Sequence, residues 1–98
     1  GVFLSREAFA DGELTVGIHN DSREEFSYGM HYSLQKQIDG SWYTIPVMKD
    51  NIGFPDIACL LPPGGYKEER YPLDIFGPLE PGTYKLVVEG LGVEFVVK

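Results

Sequence analysis

A chain of 98 residues is long enough for one hydrophobic core, which excludes two-domain enzymes and large barrels. Its 43% apolar and 13% aromatic content is that of a folding chain rather than a disordered one. Fifteen acidic side chains against eight basic give a formal charge of -7, so nucleic acid and anionic lipid surfaces are not expected as partners. With 12 Gly, 7 Pro and a single cysteine, Cys59, the composition points to an all-β domain without an internal disulfide.

In chain order, residues 2–9 give the least regular strand, because Val2-Phe3-Leu4 is apolar on both faces and Arg6 and Glu7 interrupt the alternation. Asp11-Gly12 turns the chain into a firm strand over 13–19 with Leu14, Val16 and Ile18 inward, ended by Asn20-Asp21-Ser22. Residues 28–38 read as one long strand with Tyr28, Met30, Tyr32, Leu34 and Ile38 on one face and Lys36 as the exception on that face. Asp39-Gly40 is a two-residue hairpin signal, and the return over 42–47 is expected at a sheet edge or to stop near Ile45 because of Pro46. Trp42 and Tyr43 must point to opposite faces, and Trp42 is assigned to the core. Residues 57–61 form a short apolar strand, Pro62 to Gly65 a turn, and 66–74 an edge strand limited by Pro72. A C-terminal hairpin pairs Tyr84, Leu86 and Val88 with Val93, Phe95 and Val97 across a turn at 90–92. Seven or eight short strands at this spacing predict a two-sheet antiparallel sandwich.

Pro81-Gly82-Thr83-Tyr84 places a turn directly before a strand-starting tyrosine, the pattern of a tyrosine corner, so Pro81, Gly82 and Tyr84 are structural expectations. Leu86 stands where an antibody domain carries its second cysteine. Taken together with Tyr28-Gly29, Tyr32 to Lys36, Asp39 to Tyr43, Leu61 to Gly64 and Phe76-Gly77-Pro78-Leu79, this order of motifs over residues 13–98 resembles the bacterial immunoglobulin-like domain of exported and membrane-anchored proteins. The resemblance implies an immunoglobulin-like sandwich outside the bacterial cytoplasm, with no defined catalytic activity. Because the chain opens on Gly1 rather than Met, residues 1–98 are read as one domain excised from a longer exported protein. No apolar run approaches the roughly 20 residues of a bilayer-crossing helix, so the domain itself is not expected to insert in a membrane.

No cofactor or metal site is expected: His19 and His31 have no third ligand at useful spacing, and Asp50, Asn51 and Asp56 lack a regular calcium-loop pattern. Cys59 lies in the apolar Ile57-Ala58-Cys59-Leu60-Leu61 and is assigned to the core, and no serine has a nucleophile elbow around it. Adjacent carboxylates at 24–25 and 68–69 point to opposite strand faces and do not flank one substrate bond. The candidate binding residues are Tyr43, an outward aromatic, and Ile52, Phe54 and Asp56 in the one long stretch without strand periodicity. Ile52 and Phe54 serve equally well as a plug for the open end of a sandwich. The expected role is a noncatalytic spacer or protein-interaction module; a proteinase inhibitor presenting end loops and a carbohydrate-binding module are the alternatives.

Overall fold

The computed structural model describes residues 1–48 and 53–98. Nine strands occur among them: β1 (Val2–Ala10), β2 (Glu13–Asn20), β3 (Phe26–Tyr28), β4 (Ser33–Ile38), β5 (Ser41–Thr44), β6 (Cys59–Leu61), β7 (Tyr66–Pro72), β8 (Gly82–Val88) and β9 (Leu91–Val97), with a 3-10 turn at Asp74–Phe76. They form an antiparallel sheet β1-β2-β7, a ribbon β3-β6 and a sheet β5-β4-β8-β9. This is the disulfide-free, immunoglobulin-like sandwich, with Cys59 a free thiol.

Three two-residue hairpins set the registers. Asp11-Gly12, Asp39-Gly40 and Glu89-Gly90 all have positive φ at both positions, the backbone twist that joins antiparallel strands without splaying them. The last turn is therefore Glu89-Gly90 rather than 90–92, and β9 already begins at Leu91, paired with Val88. The first strand is complete because it is bulged: the register slips between Arg6 and Ala8. Leu4 opposite Ile18 and Phe9 opposite Leu14 thus face the same side although five residues apart, and the Arg6-Glu7 interruption is the bulge itself. Pro72 ends β7 at the edge of its sheet, and Pro46 follows edge strand β5.

Between the sheets Leu14 and Val16 meet Leu34, Tyr84, Leu86, Val88 and Phe95, and the 3-10 turn adds Ile75 and Phe76. Ile18 instead packs with Tyr28 and Leu61 in a smaller cluster beside the ribbon. Residues 28–38 are not one strand. The chain leaves the ribbon after Tyr28, paired with Cys59, and enters the four-stranded sheet at Ser33, so Tyr32 and Leu34 are buried while Met30 and Ile38 are 40% and 47% exposed. His31 accordingly lies in the crossing, not on a strand.

Trp42 is not in the core. It stands opposite Gln37, whereas Tyr43 stands opposite Lys36, which in turn pairs with the buried Tyr84, so Tyr43 follows the inward row and Trp42 the outward one. The inward row runs past the rim of the core at this edge, and Tyr43 is 53% exposed. Half-buried Trp42 is covered instead by Lys85, whose Nζ lies 4.2 Å from the ring centroid. Cys59, also half-buried, packs at the margin of the smaller cluster rather than in the main core.

The tyrosine corner is formed. The Tyr84 hydroxyl donates to the Glu80 carbonyl at 2.6 Å. Lys36 lies along the inward row with its stem against Gly82, where an added Cβ would come within 3.1 Å of Lys36 Cε. Its ammonium is 5.6 Å from the Tyr84 ring and 3.5 Å from Glu80. A second clamp is Asn20, fully buried at the end of β2. Its Nδ2 donates to the carbonyls of Glu24, Leu61 and Pro62 at 2.9, 3.0 and 3.2 Å, and its Oδ1 accepts from the Ser22 amide and hydroxyl. Asn20 N–H and C=O also bond Gly65 and Gly64, tying the 62–65 turn to β2.

Two stability predictions follow from these contacts. Tyr84→Phe removes one hydrogen bond without changing the packed ring and lowers stability by about 1 kcal/mol in denaturant unfolding; an unchanged midpoint would show that the corner bond carries no weight. Asn20→Ala orphans several carbonyls at once and costs about 3 kcal/mol. Asn20→Asp, which turns acceptors toward those carbonyls, is at least as damaging, and a tolerated Asp would contradict the assigned amide orientation.

Candidate functional site

Phe54 is half-buried and docks on the crossing segment, 5.3 Å from Tyr32 at an interplanar angle of 67° and 5.0 Å from His31 at 74°. Tyr32 meets Tyr71 at 4.9 Å and 60°, and its hydroxyl donates to the Pro72 carbonyl at 2.6 Å. Phe54 therefore closes the sandwich at this end, the plug reading of the two. The closure leaves a pocket of about 120 Å³ between Met30, Tyr32, Phe54 and Pro55 on one side and residues 69–72 of β7, Arg70 among them, on the other. A shallower depression beside it brings Phe54 together with His31, Asp56 and Ile57. Asp56 is exposed there, so two of the four candidate residues share a surface. Tyr43, on β5, lines neither cavity, and Ile52 and Asp50 fall outside the described residues.

A second cluster, on the outer face of β1-β2-β7, was not visible in the sequence because only the register assembles it. Phe3, His19 and Tyr66 stand in one cross-strand row. Phe3 stacks on His19 at 4.5 Å and Tyr66 meets the imidazole edge-on at 4.7 Å. Beneath them Gly17 leaves room: a Cβ there would lie 2.7 to 2.8 Å from Ser5 Oγ, Glu7 Oε1 and the Tyr66 ring. Ser5 donates to Glu7 and is 2.8 Å from His19 Nε2.

A serine beside a histidine and a glutamate suggests a nucleophile, but the connections are in the wrong order. The single hydroxyl hydrogen of Ser5 goes to Glu7, so His19 Nε2 must carry a hydrogen and donate to Ser5 Oγ. An activated serine needs the reverse: a lone pair on the imidazole facing the hydroxyl and a carboxylate on the far nitrogen. Among the described residues no three His, Cys, Asp or Glu side chains are placed to hold a metal ion.

The buried tyrosines carry the electrostatic signature of this half of the molecule. Burial raises the Tyr28, Tyr71 and Tyr32 phenols above their ordinary value of 10.0. Glu69 adds to it for Tyr28, whose hydroxyl donates to Glu69 Oε2 at 2.6 Å, and for Tyr71; Asp74 adds to it for Tyr32. An unfolded tyrosine ionises near pH 10 while the folded one stays neutral, so this contribution to stability is complete below that pH and is lost as pH rises beyond it. In an alkaline titration the phenolate absorbance of these three residues is expected to appear together with loss of the near-ultraviolet circular dichroism. Ionisation of all the tyrosines in a still-folded protein would contradict the assigned burial.

The geometry is thus a pinned sandwich with a small end pocket partly walled by β7 and an aromatic row on the outer face of the same β1-β2-β7 sheet. No curated protein and no solved structure matches this chain. The sequence profile described as the bacterial Ig-like domain matches residues 4–95, nearly the whole length, including most of β1, the hairpins and the tyrosine corner. The chain belongs to the bacterial Ig-like domain family.

Proposed function

We propose that this chain is a noncatalytic module of an exported bacterial protein, held outside the cytoplasm and acting as a spacer or protein-interaction domain. The observation that carries the reading is the wiring of Ser5, Glu7 and His19, in which the best-placed nucleophile is a hydrogen-bonded strut over Gly17. Family membership supports the same reading, since the fold is one whose function resides in surfaces and loops. A spacer must hold its shape, and in this disulfide-free fold the Tyr84 and Asn20 clamps supply rigidity by hydrogen bonds. The net charge of -7 favours protein or small-molecule contacts over anionic polymers.

Neither alternative gains a specific contact. Phe54, the aromatic of the inhibitor-like loop, has its ring engaged with Tyr32 and His31, and Trp42, the natural sugar platform, lies under Lys85. In a panel of ester, peptide and glycoside substrates the protein is expected to show no turnover above that of Ser5→Ala, His19→Ala, Asp56→Ala or Cys59→Ala. A reaction abolished by any one of these substitutions would overturn the noncatalytic reading.

A further inference from the structure

We infer that the end pocket between Phe54 and β7 is a binding site for an alkylammonium group. Tyr32, Tyr71 and Phe54 line it, with Tyr32 packed edge-to-face against the other two at 60° and 67°. Ring faces carry partial negative charge, and a cation within about 6 Å of such a face is attracted to it, most strongly where water is excluded. The pocket, about 120 Å³, is well below the size of an ordinary ligand cleft and suits a small headgroup rather than a nucleotide.

The fourth wall supplies the charge. Glu69 stands on the inward row of β7, opposite Val16, and its Oε2 is held by the Tyr28 hydroxyl at 2.6 Å. That bond fixes the carboxylate, and Oε1 accepts no hydrogen bond among the described residues. Arg70 also lines the pocket; it is exposed and stands on the outward row of β7, opposite Thr15, and among the described residues Glu69 forms no ion pair. A half-buried, oriented carboxylate facing three aromatic rings and the Met30 side chain selects a group that is positive and greasy at once. Among the described residues Glu69 is the one carboxylate that lines the pocket, too few for an ordinary metal site.

A lysine side chain of a partner protein and a free quaternary headgroup share this chemistry, and the probes separate them. Tetramethylammonium and n-butylammonium are titrated into the intact protein at constant ionic strength while the Tyr32, Phe54, Tyr71 and Met30 side-chain resonances are followed by NMR. tert-Butanol serves as the uncharged counterpart of tetramethylammonium and sodium as the ionic control. Saturable shifts confined to these residues, at least about fivefold tighter for an ammonium than for tert-butanol, are the expected result. Preference for n-butylammonium identifies a lysine-type ligand, preference for tetramethylammonium a quaternary headgroup. Glu69→Gln keeps an acceptor for Tyr28 and should weaken ammonium binding about tenfold while leaving tert-butanol unaffected. Phe54→Leu keeps the apolar bulk and should weaken ammonium binding alone. Equal response to ammonium and tert-butanol, no saturation, or an unaltered Glu69→Gln would each overturn the assignment. The site is read from the pocket alone, so its failure would leave the module reading standing, and the reverse.

Discussion

The hydroxyl of Tyr84 on the Glu80 carbonyl is the contact on which the sandwich is hung. It fixes where the chain, having left the 3-10 turn at Asp74–Phe76, enters β8 at the centre of the four-stranded sheet. That entry starts the inward row of Tyr84, Leu86 and Val88, which packs in one core with Leu14 and Val16 of β2. In domains with an intersheet disulfide a covalent bond would share this task. Here the equivalent position is Leu86, wholly buried, so the sheets are joined by packing and by hydrogen bonds that satisfy otherwise stranded carbonyls. Asn20 acts at the other end of the molecule in the same way, with a buried amide replacing several backbone partners at once. Among the described residues no buried side-chain nitrogen or oxygen is left without a partner, which is what a core this small requires.

What was legible in the sequence was local. Asp11-Gly12 and Asp39-Gly40 declare themselves because positive φ at two successive positions restricts the residues that fit, and the corner declares itself because tyrosine and turn lie four residues apart. Glu89-Gly90 was placed late, since glutamate is an uncommon choice for that backbone and the two glycines at 90 and 92 drew the turn toward them. Gly92 has a packing reason instead: an added Cβ would lie 2.9 Å from the Lys85 stem.

What was hidden depended on distant partners. The alternation from Tyr28 to Ile38 is continuous, yet the chain changes partner in its midst, from Cys59 to Val87, and period alone cannot show a change of partner. For Trp42 and Tyr43 hydrophobicity points to the wrong face, because the register, passing through Lys36 to Tyr84, decides it. Asn20 reads as a strand breaker, and its carbonyl partners at 61 and 62 lie some forty residues away. The Phe3, His19 and Tyr66 row and the Tyr32, Phe54 and Tyr71 pocket are invisible for the same reason.

Cation chemistry links the two faces of the four-stranded sheet. Of the eight basic residues, Lys36 and Lys85 place their ammonium groups over aromatic rings, Tyr84 inside the rim and Trp42 outside. Each also lays its stem across a glycine, Gly82 and Gly92, where a side chain would collide with it. These lysines are part of the packing, and with their charges counted the chain still carries a net -7 that makes the surface potential negative. The end pocket differs from both in one respect: its rings and the Glu69 carboxylate lie side by side, but among the described residues no lysine ammonium is placed over those rings. A fold that twice satisfies ring faces with its own ammonium groups, and once leaves them open beside a fixed carboxylate, has the complement of those lysines built into its surface.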